Sequence, residues 1–165
     1  MKKWAFVFLL LLGIDALSKA LVLEYVPFLG PKSIGYPYDG IPIFSFFGIT
    51  GSLNMVGNTG AAWSLFQDHS SLLFSFRLAL IVGLIVYLLF FNRNKMNPLP
   101  LWLVVIGAIG NVIDYWTYGY VVDFFHVCFG GHSFPIFNLA DSYITIGIAI
   151  LLWLTRKEKW QTSTP

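Results

Sequence analysis

The chain has 165 residues, of which 57% are hydrophobic and only 11% charged, and its mean hydropathy is +0.73. A water-soluble domain of that make-up would lack the polar side chains to cover its own surface, so most of the solvent is expected to be lipid. A formal charge of +2 without a basic stripe excludes a nucleic-acid partner, and the single cysteine, Cys128, can neither close an internal disulfide nor supply a thiolate cluster.

Four apolar runs are long enough, at about 1.5 Å per residue, to cross a hydrocarbon core of about 30 Å. They are Trp4 to Leu23, Leu72 to Phe91, Leu99 to Asp114 and Leu139 to Leu154. Their continuous Leu, Ile, Val and Phe content predicts helices, since barrel strands alternate in polarity. Trp4, Tyr25, Tyr87, Trp102, Trp116 and Trp153 fall near the run ends, where rings sit at headgroup level. The expectation is an all-α membrane protein, a single domain over residues 1–165, with a small β-rich outer loop lying on the membrane.

The first run follows Lys2-Lys3 and ends near Ala16-Leu17-Ser18, which also fits a cleavable secretory signal. Cleavage would discard Asp15 and put the termini on opposite sides against the basic bias at both ends, so the run is kept as a helix. Asp15 and Lys19, four apart, share a face with the acid first. They read as an ion pair with Lys19 snorkelling outward. The connection from Glu24 to Ser71 has β-type stretches at Ile41 to Phe47 and Gly48 to Val56. In its Asn58-Thr59-Gly60-Ala61-Ala62 segment Gly60 permits a tight turn and the small residues permit close approach of another chain; a plain turn is the simpler alternative.

The second run carries Arg77 near its outer end. In the third, Gly107, Asn111 and Asp114 form one stripe of small and polar side chains that must face the bundle, as interhelical glue or as support for a site. The connection from Tyr115 to Asn138 holds Asp123 in an apolar loop, Tyr120-Val121-Val122-Asp123-Phe124-Phe125. Asn138 and Asp141, three apart at the start of the fourth run, suit a helix cap. Asp123 and Asp141 together, each in apolar surroundings at one interface, also suit an acid and base pair.

Lys2, Lys3, Arg93, Lys95, Arg156, Lys157 and Lys159 fall on one side of these spans, leaving Lys19, Lys32 and Arg77. That side is cytoplasmic by the positive-inside rule, with both termini inside and the two longer connections outside. The carboxylates sort the other way: Asp15, Glu24, Asp39, Asp68, Asp114, Asp123 and Asp141 lie outside or in the outer half, and Glu158 inside. The chemistry is expected at the outer face.

In order, Asp15-Ala-Leu-Ser-Lys19, Asn58-Thr-Gly-Ala-Ala62, Gly107-Ala-Ile-Gly-Asn111-Val-Ile-Asp114, Val121-Val-Asp-Phe124 and Phe137-Asn-Leu-Ala-Asp-Ser142 resemble the blocks of the lipoprotein signal peptidase family, signal peptidase II. The resemblance implies an aspartic endopeptidase of the bacterial inner membrane that removes signal peptides from prolipoproteins, cutting before the diacylglyceryl-modified cysteine. It places catalysis on Asp123 and Asp141, with supporting or substrate-binding roles for Asp15, Lys19, Asn58, Gly60, Asn111, Asp114 and Asn138. The implied partners are the modified prolipoprotein and membrane lipid, with the enzyme a monomer. Where the family usually has Gln after its first Asp and Arg after its third-helix Asp, this chain has Ala16 and Tyr115; Arg77 is a candidate substitute cation.

Paired carboxylates sharing a proton need no metal or other cofactor. Two other readings compete. A metallopeptidase would use Asp123, His126 and His132 as ligands, and a small transporter or scaffold would string intramembrane acids across the bilayer as an ion path.

Overall fold

The computed structural model describes residues 2–28, 40–59, 70–92 and 97–163. Its elements are α1 (Lys2–Tyr25), β1 (Ile41–Phe46), β2 (Ile49–Asn58), α2 (Ser70–Val86) continued by a π turn (Tyr87–Phe91), α3 (Leu99–Tyr118), β3 (Val121–Phe129), β4 (His132–Ser133) and α4 (Leu139–Ser163). The four expected runs are all helical, and among the described residues four helices are long and apolar enough to span a bilayer: Trp4–Tyr25, Phe74–Phe91, Leu99–Tyr118 and Leu139–Lys157. Their outer surfaces present Leu9, Leu17, Leu80, Phe90 and Trp153. A helix satisfies its own backbone polar groups, which is why these runs can sit in lipid.

The third helix does not end at Asp114 as expected but runs another turn to Tyr118. Gly119 stops it in the left-handed region at φ 78°, returning its N–H to Tyr115 O at 2.9 Å. A glycine adopts that conformation without the Cβ penalty. The extra turn lets Asp114 act from within a helix.

Helices α3 and α4 meet through small residues. A Cβ on Gly107 would run into the Ala140 carbonyl, and one on Gly147 would come within 2.6 Å of Pro100 O. Lipid tails are as apolar as Leu, so close backbone approach of this kind is what holds membrane helices together.

The expected strands at 41–47 and 48–56 are present as β1 and β2, but the sheet is larger than expected. It has four antiparallel strands in the order β1-β2-β3-β4, uniting the two longer connections. Asp123 is therefore not in a loop. It stands on β3 opposite Val56, with Val121 opposite Asn58. Phe124 and Phe125 donate to Phe137 O at 3.1 and 2.7 Å, which ties the approach to α4 onto the other edge of β3. Buried Val22, Val26, Met55, Val122 and Phe124 form the core beneath, clamping the sheet onto the end of α1.

Candidate active site

The polar residues singled out along the chain converge on one cluster. Asp15 and Lys19 come from α1, Asn58 from the end of β2, Asn111 and Asp114 from α3, Asp123 from β3, and Asn138 and Asp141 from the start of α4. Gly60 and the rest of the small-residue turn lie outside the described residues.

Lys19 is not a snorkelling side chain. Its ammonium is turned inward, 2.8 Å from both Asp15 Oδ2 and Asp114 Oδ2, and it donates to Asn111 Oδ1 at 3.1 Å. The second carboxylate accounts for the inward turn: a buried acid left without its cation is costly, and one ammonium serves both acids here. Both acids also serve the backbone, Asp15 through its other oxygen and Asp114 through the oxygen that holds Lys19. Asp15 Oδ1 accepts from Ala140 N–H at 2.9 Å, one of the donors that the first turn of α4 leaves unpaired, and Asp114 Oδ2 accepts from Val122 N–H at 3.1 Å. The ion cluster thereby joins α1, α3, β3 and α4.

Above it lies a layer of two amides. Asn111 accepts from Lys19 on one side and donates from Nδ2 to Asp141 Oδ1 at 2.8 Å on the other. Asn138, fully buried, donates from Nδ2 to Asn111 Oδ1 at 3.1 Å, Val122 O at 3.2 Å and Asp123 Oδ1 at 2.8 Å. Asn138 also caps α4 as expected. Its Oδ1 accepts from Asp141 N–H at 2.9 Å, while Asp141 Oδ2 accepts from Asn138 N–H at 3.2 Å, a reciprocal capping box. One residue thus holds both Asp123 and Asp141 and fixes their relative position. Asn58 Nδ2 completes the set at 2.9 Å from Asp123 Oδ2.

Asp123 and Asp141 both face an open cleft of about 640 Å³, whose walls include Val121, Phe134, Ile136 and Ile144 and whose rim holds Arg77. The 134–137 wall had no separate role in the sequence reading; its run Phe-Pro-Ile-Phe immediately before the capping Asn was the available signal. Burial, and next the Asp141 charge, push the Asp123 carboxyl up from 3.8 to about 8, against hydrogen bonds from Asn58 and Asn138 and the charge of Lys19. The pair therefore holds a proton near pH 7. Asp141 sits at the positive end of α4 with a backbone N–H, an amide and the Arg77 charge directed at it.

His126 points elsewhere. Three residues from Asp123 on a strand, it projects from the opposite face, and its Nε2 lies 2.7 Å from Ser133 Oγ. Burial pushes its imidazole below the ordinary value of 6.5. This geometry gives a shared metal on Asp123 and His126 no support. The acids also collect at one end of the bundle, which does not favour an ion path across it.

The signal peptidase II family model matches residues 7–156. The lipoprotein signal peptidase of Streptococcus pneumoniae is 38% identical over 156 residues, covering 94% of this chain and 93% of that protein. The lipoprotein signal peptidase of Chlamydia trachomatis serovar D is 37% identical over 157 residues, covering 92% and 91%. A solved structure described as a bacterial membrane enzyme superposes with a TM-score of 0.76 at 22% identity, over 100% of this chain and 94% of that one, and so shares its fold. The family match spans every block of the polar cluster, and the chain belongs to the signal peptidase II family.

Proposed function

We propose that Asp123 and Asp141 are the catalytic pair with which this peptidase removes signal peptides from bacterial prolipoproteins. The observation that carries the reading is the cleft itself: two carboxylates positioned by one asparagine, one held neutral and the other at a helix N-terminus, facing apolar walls. Ionised Asp141 takes a proton from water as the oxygen attacks the scissile carbonyl. Protonated Asp123 donates to the oxyanion that forms. As the C–N bond breaks, the proton on Asp141 passes to the leaving amine, and Asp123 recovers its own when the carbonyl re-forms. The residues' roles need neither a metal nor a covalent intermediate. The rate falls as pH rises through about 8, where Asp123 loses its proton.

Asp15, Lys19, Asn58, Asn111, Asp114 and Asn138 support this pair through the contacts described above. The chain acts as a single domain and a monomer in the bacterial inner membrane, with no nucleic-acid partner. Both termini are cytoplasmic and the cleft opens near the outer face. Two observations support that orientation: in the sequence the basic residues fall at the span ends opposite the acids, and among the described residues Asp15, Asp114, Asp123 and Asp141 gather beside the sheet.

At this depth a diacylglyceryl group on the cysteine after the cut would hold the scissile bond level with the aspartates, turning a search into positioning. The test uses matched prolipoproteins with and without the modification and the purified enzyme in bilayers. The expected result is cleavage of the lipidated form alone before its cysteine; equal cleavage of both rejects recognition of the lipid.

A further inference from the structure

Arg77 is the one charged residue of the α2 segment from Ser70 to Phe91. A guanidinium on an apolar span is costly to bury in hydrocarbon, so its placement calls for a purpose. Phe74, Arg77 and Ile81 follow one another at i, i+3 and i+7 and are all shielded, whereas Leu72, Phe76, Leu78 and Leu80 are exposed. Arg77 therefore lies on the face turned to the bundle, not to lipid. One turn before it, Phe74 stacks on Tyr115 of α3 with ring centroids 5.1 Å apart and 26° between planes, pinning this end of α2 to α3. Arg77 lines the cleft, and its charge acts on Asp141, Asp123 and Tyr115.

Charge accounting separates its role from that of Lys19. The cluster has four carboxylates, Asp15, Asp114, Asp123 and Asp141, and Lys19 is taken up by the first two, 2.8 Å from each. Buried behind Asn111 and Asn138, Lys19 does not line the cleft. Among the described residues Arg77 is the cation that does. A peptide stretched across the aspartates has left its helix and presents carbonyl oxygens to a cleft in which Val121, Ile136 and Ile144 offer no side-chain donors and Asn58, Asn111 and Ser142 already donate to Asp123, Asp141 and Asn138 O. A planar five-donor fork can serve such an oxygen while keeping its charge beside the dyad.

We infer that Arg77 is a substrate-binding residue, donating from its guanidinium to a backbone carbonyl of the signal peptide near the cut. The inference rests on the peptidase reading above. The full chain in bilayers is assayed on lipidated prolipoprotein as wild type, Arg77→Gln, Arg77→Lys, Arg77→Gln with Tyr115→Arg, and Asp123→Asn, with kcat and KM resolved and unfolding temperatures measured. Arg77→Gln should lower kcat/KM about 10- to 100-fold, largely through KM, the loss expected of a hydrogen bond to a charged donor. Arg77→Lys should lose less because the charge remains, and Tyr115→Arg, supplying a cation from the neighbouring position on α3, should recover part of the Arg77→Gln loss. Wild-type kcat/KM in Arg77→Gln overturns the inference. So does equal impairment of Gln and Lys variants with lowered unfolding temperatures and no recovery by Tyr115→Arg, which marks a packing role. Turnover by Asp123→Asn would instead overturn the dyad, whatever Arg77 does.

Discussion

Asp15 and Asp114 lie on one side of the Asn111 and Asn138 amides, and Asp123 and Asp141 on the other. The first two share Lys19 at 2.8 Å each and give their other bonds to backbone N–H groups of α4 and β3. The second two are held by neutral amides and a helix terminus and face a cleft. Four identical carboxyl groups are thereby divided into a pair closed on a cation and a pair open to the cleft, the one proposed to do the chemistry. Asp15 and Asp114 give their oxygens to an ammonium and to backbone N–H groups and do not line the cleft; Asp123 and Asp141 are both held by Asn138 and face it, and carboxyls in one such site can share a proton. The amide layer produces the difference, because an asparagine transmits orientation without supplying a full charge.

The comparison breaks most sharply at the chemical pair. Asp123→Asn and Asp141→Asn should each lower kcat by about 10⁴-fold or more, with unfolding temperature in detergent no lower than wild type, because an amide keeps the shape but cannot exchange the proton. Asp15→Asn and Asp114→Asn should leave measurable turnover and lower stability instead. Comparable turnover in all four variants would erase the distinction.

The structural pair is tested by Lys19→Met, which leaves two buried carboxylates without their cation. A loss of about 3 to 5 kcal/mol is expected, read as a lower unfolding midpoint. Adding Asp15→Asn and Asp114→Asn to that variant should recover part of the loss, since the unpaired charges go with the partner. A triple variant no more stable than Lys19→Met would mean that the cluster acts through shape alone.

The smallest effect concerns pH. Asp123 in the folded protein has its carboxyl raised from 3.8 to about 8, so its contribution to stability is complete below about 4 and is lost as pH rises through about 8. Asp123→Asn cannot ionise. It should match wild type near pH 4 and exceed it by a few °C in unfolding temperature near pH 9; parallel curves at all pH values would place the shared proton elsewhere.

The residues that sequence reasoning brought forward are largely those of the cluster, because a polar side chain in an apolar run has few places to be. The spacing of Gly107, Asn111 and Asp114 fixes them to one helix face, and Asn138 with Asp141 carries its own capping geometry. The strand environment of Asp123 was not legible in the same way. Its β3 segment pairs with β2, more than 60 residues earlier in the chain, and isolated strand propensity does not name a partner. Lys19 was misplaced for a related reason: on α1 alone its nearest acid is Asp15, and its second one, Asp114, arrives only when α3 packs alongside.

Sequence by itself determined the solvent, the four spans and the chemical types at the site, since these follow from local composition and from the cost of polar groups in hydrocarbon. Tertiary structure alone decided which carboxylates are paired to a cation and which face the cleft. Those assignments depend on distances between α1, α3, β3 and α4, and a carboxyl group's role is set by the charges and donors packed around it.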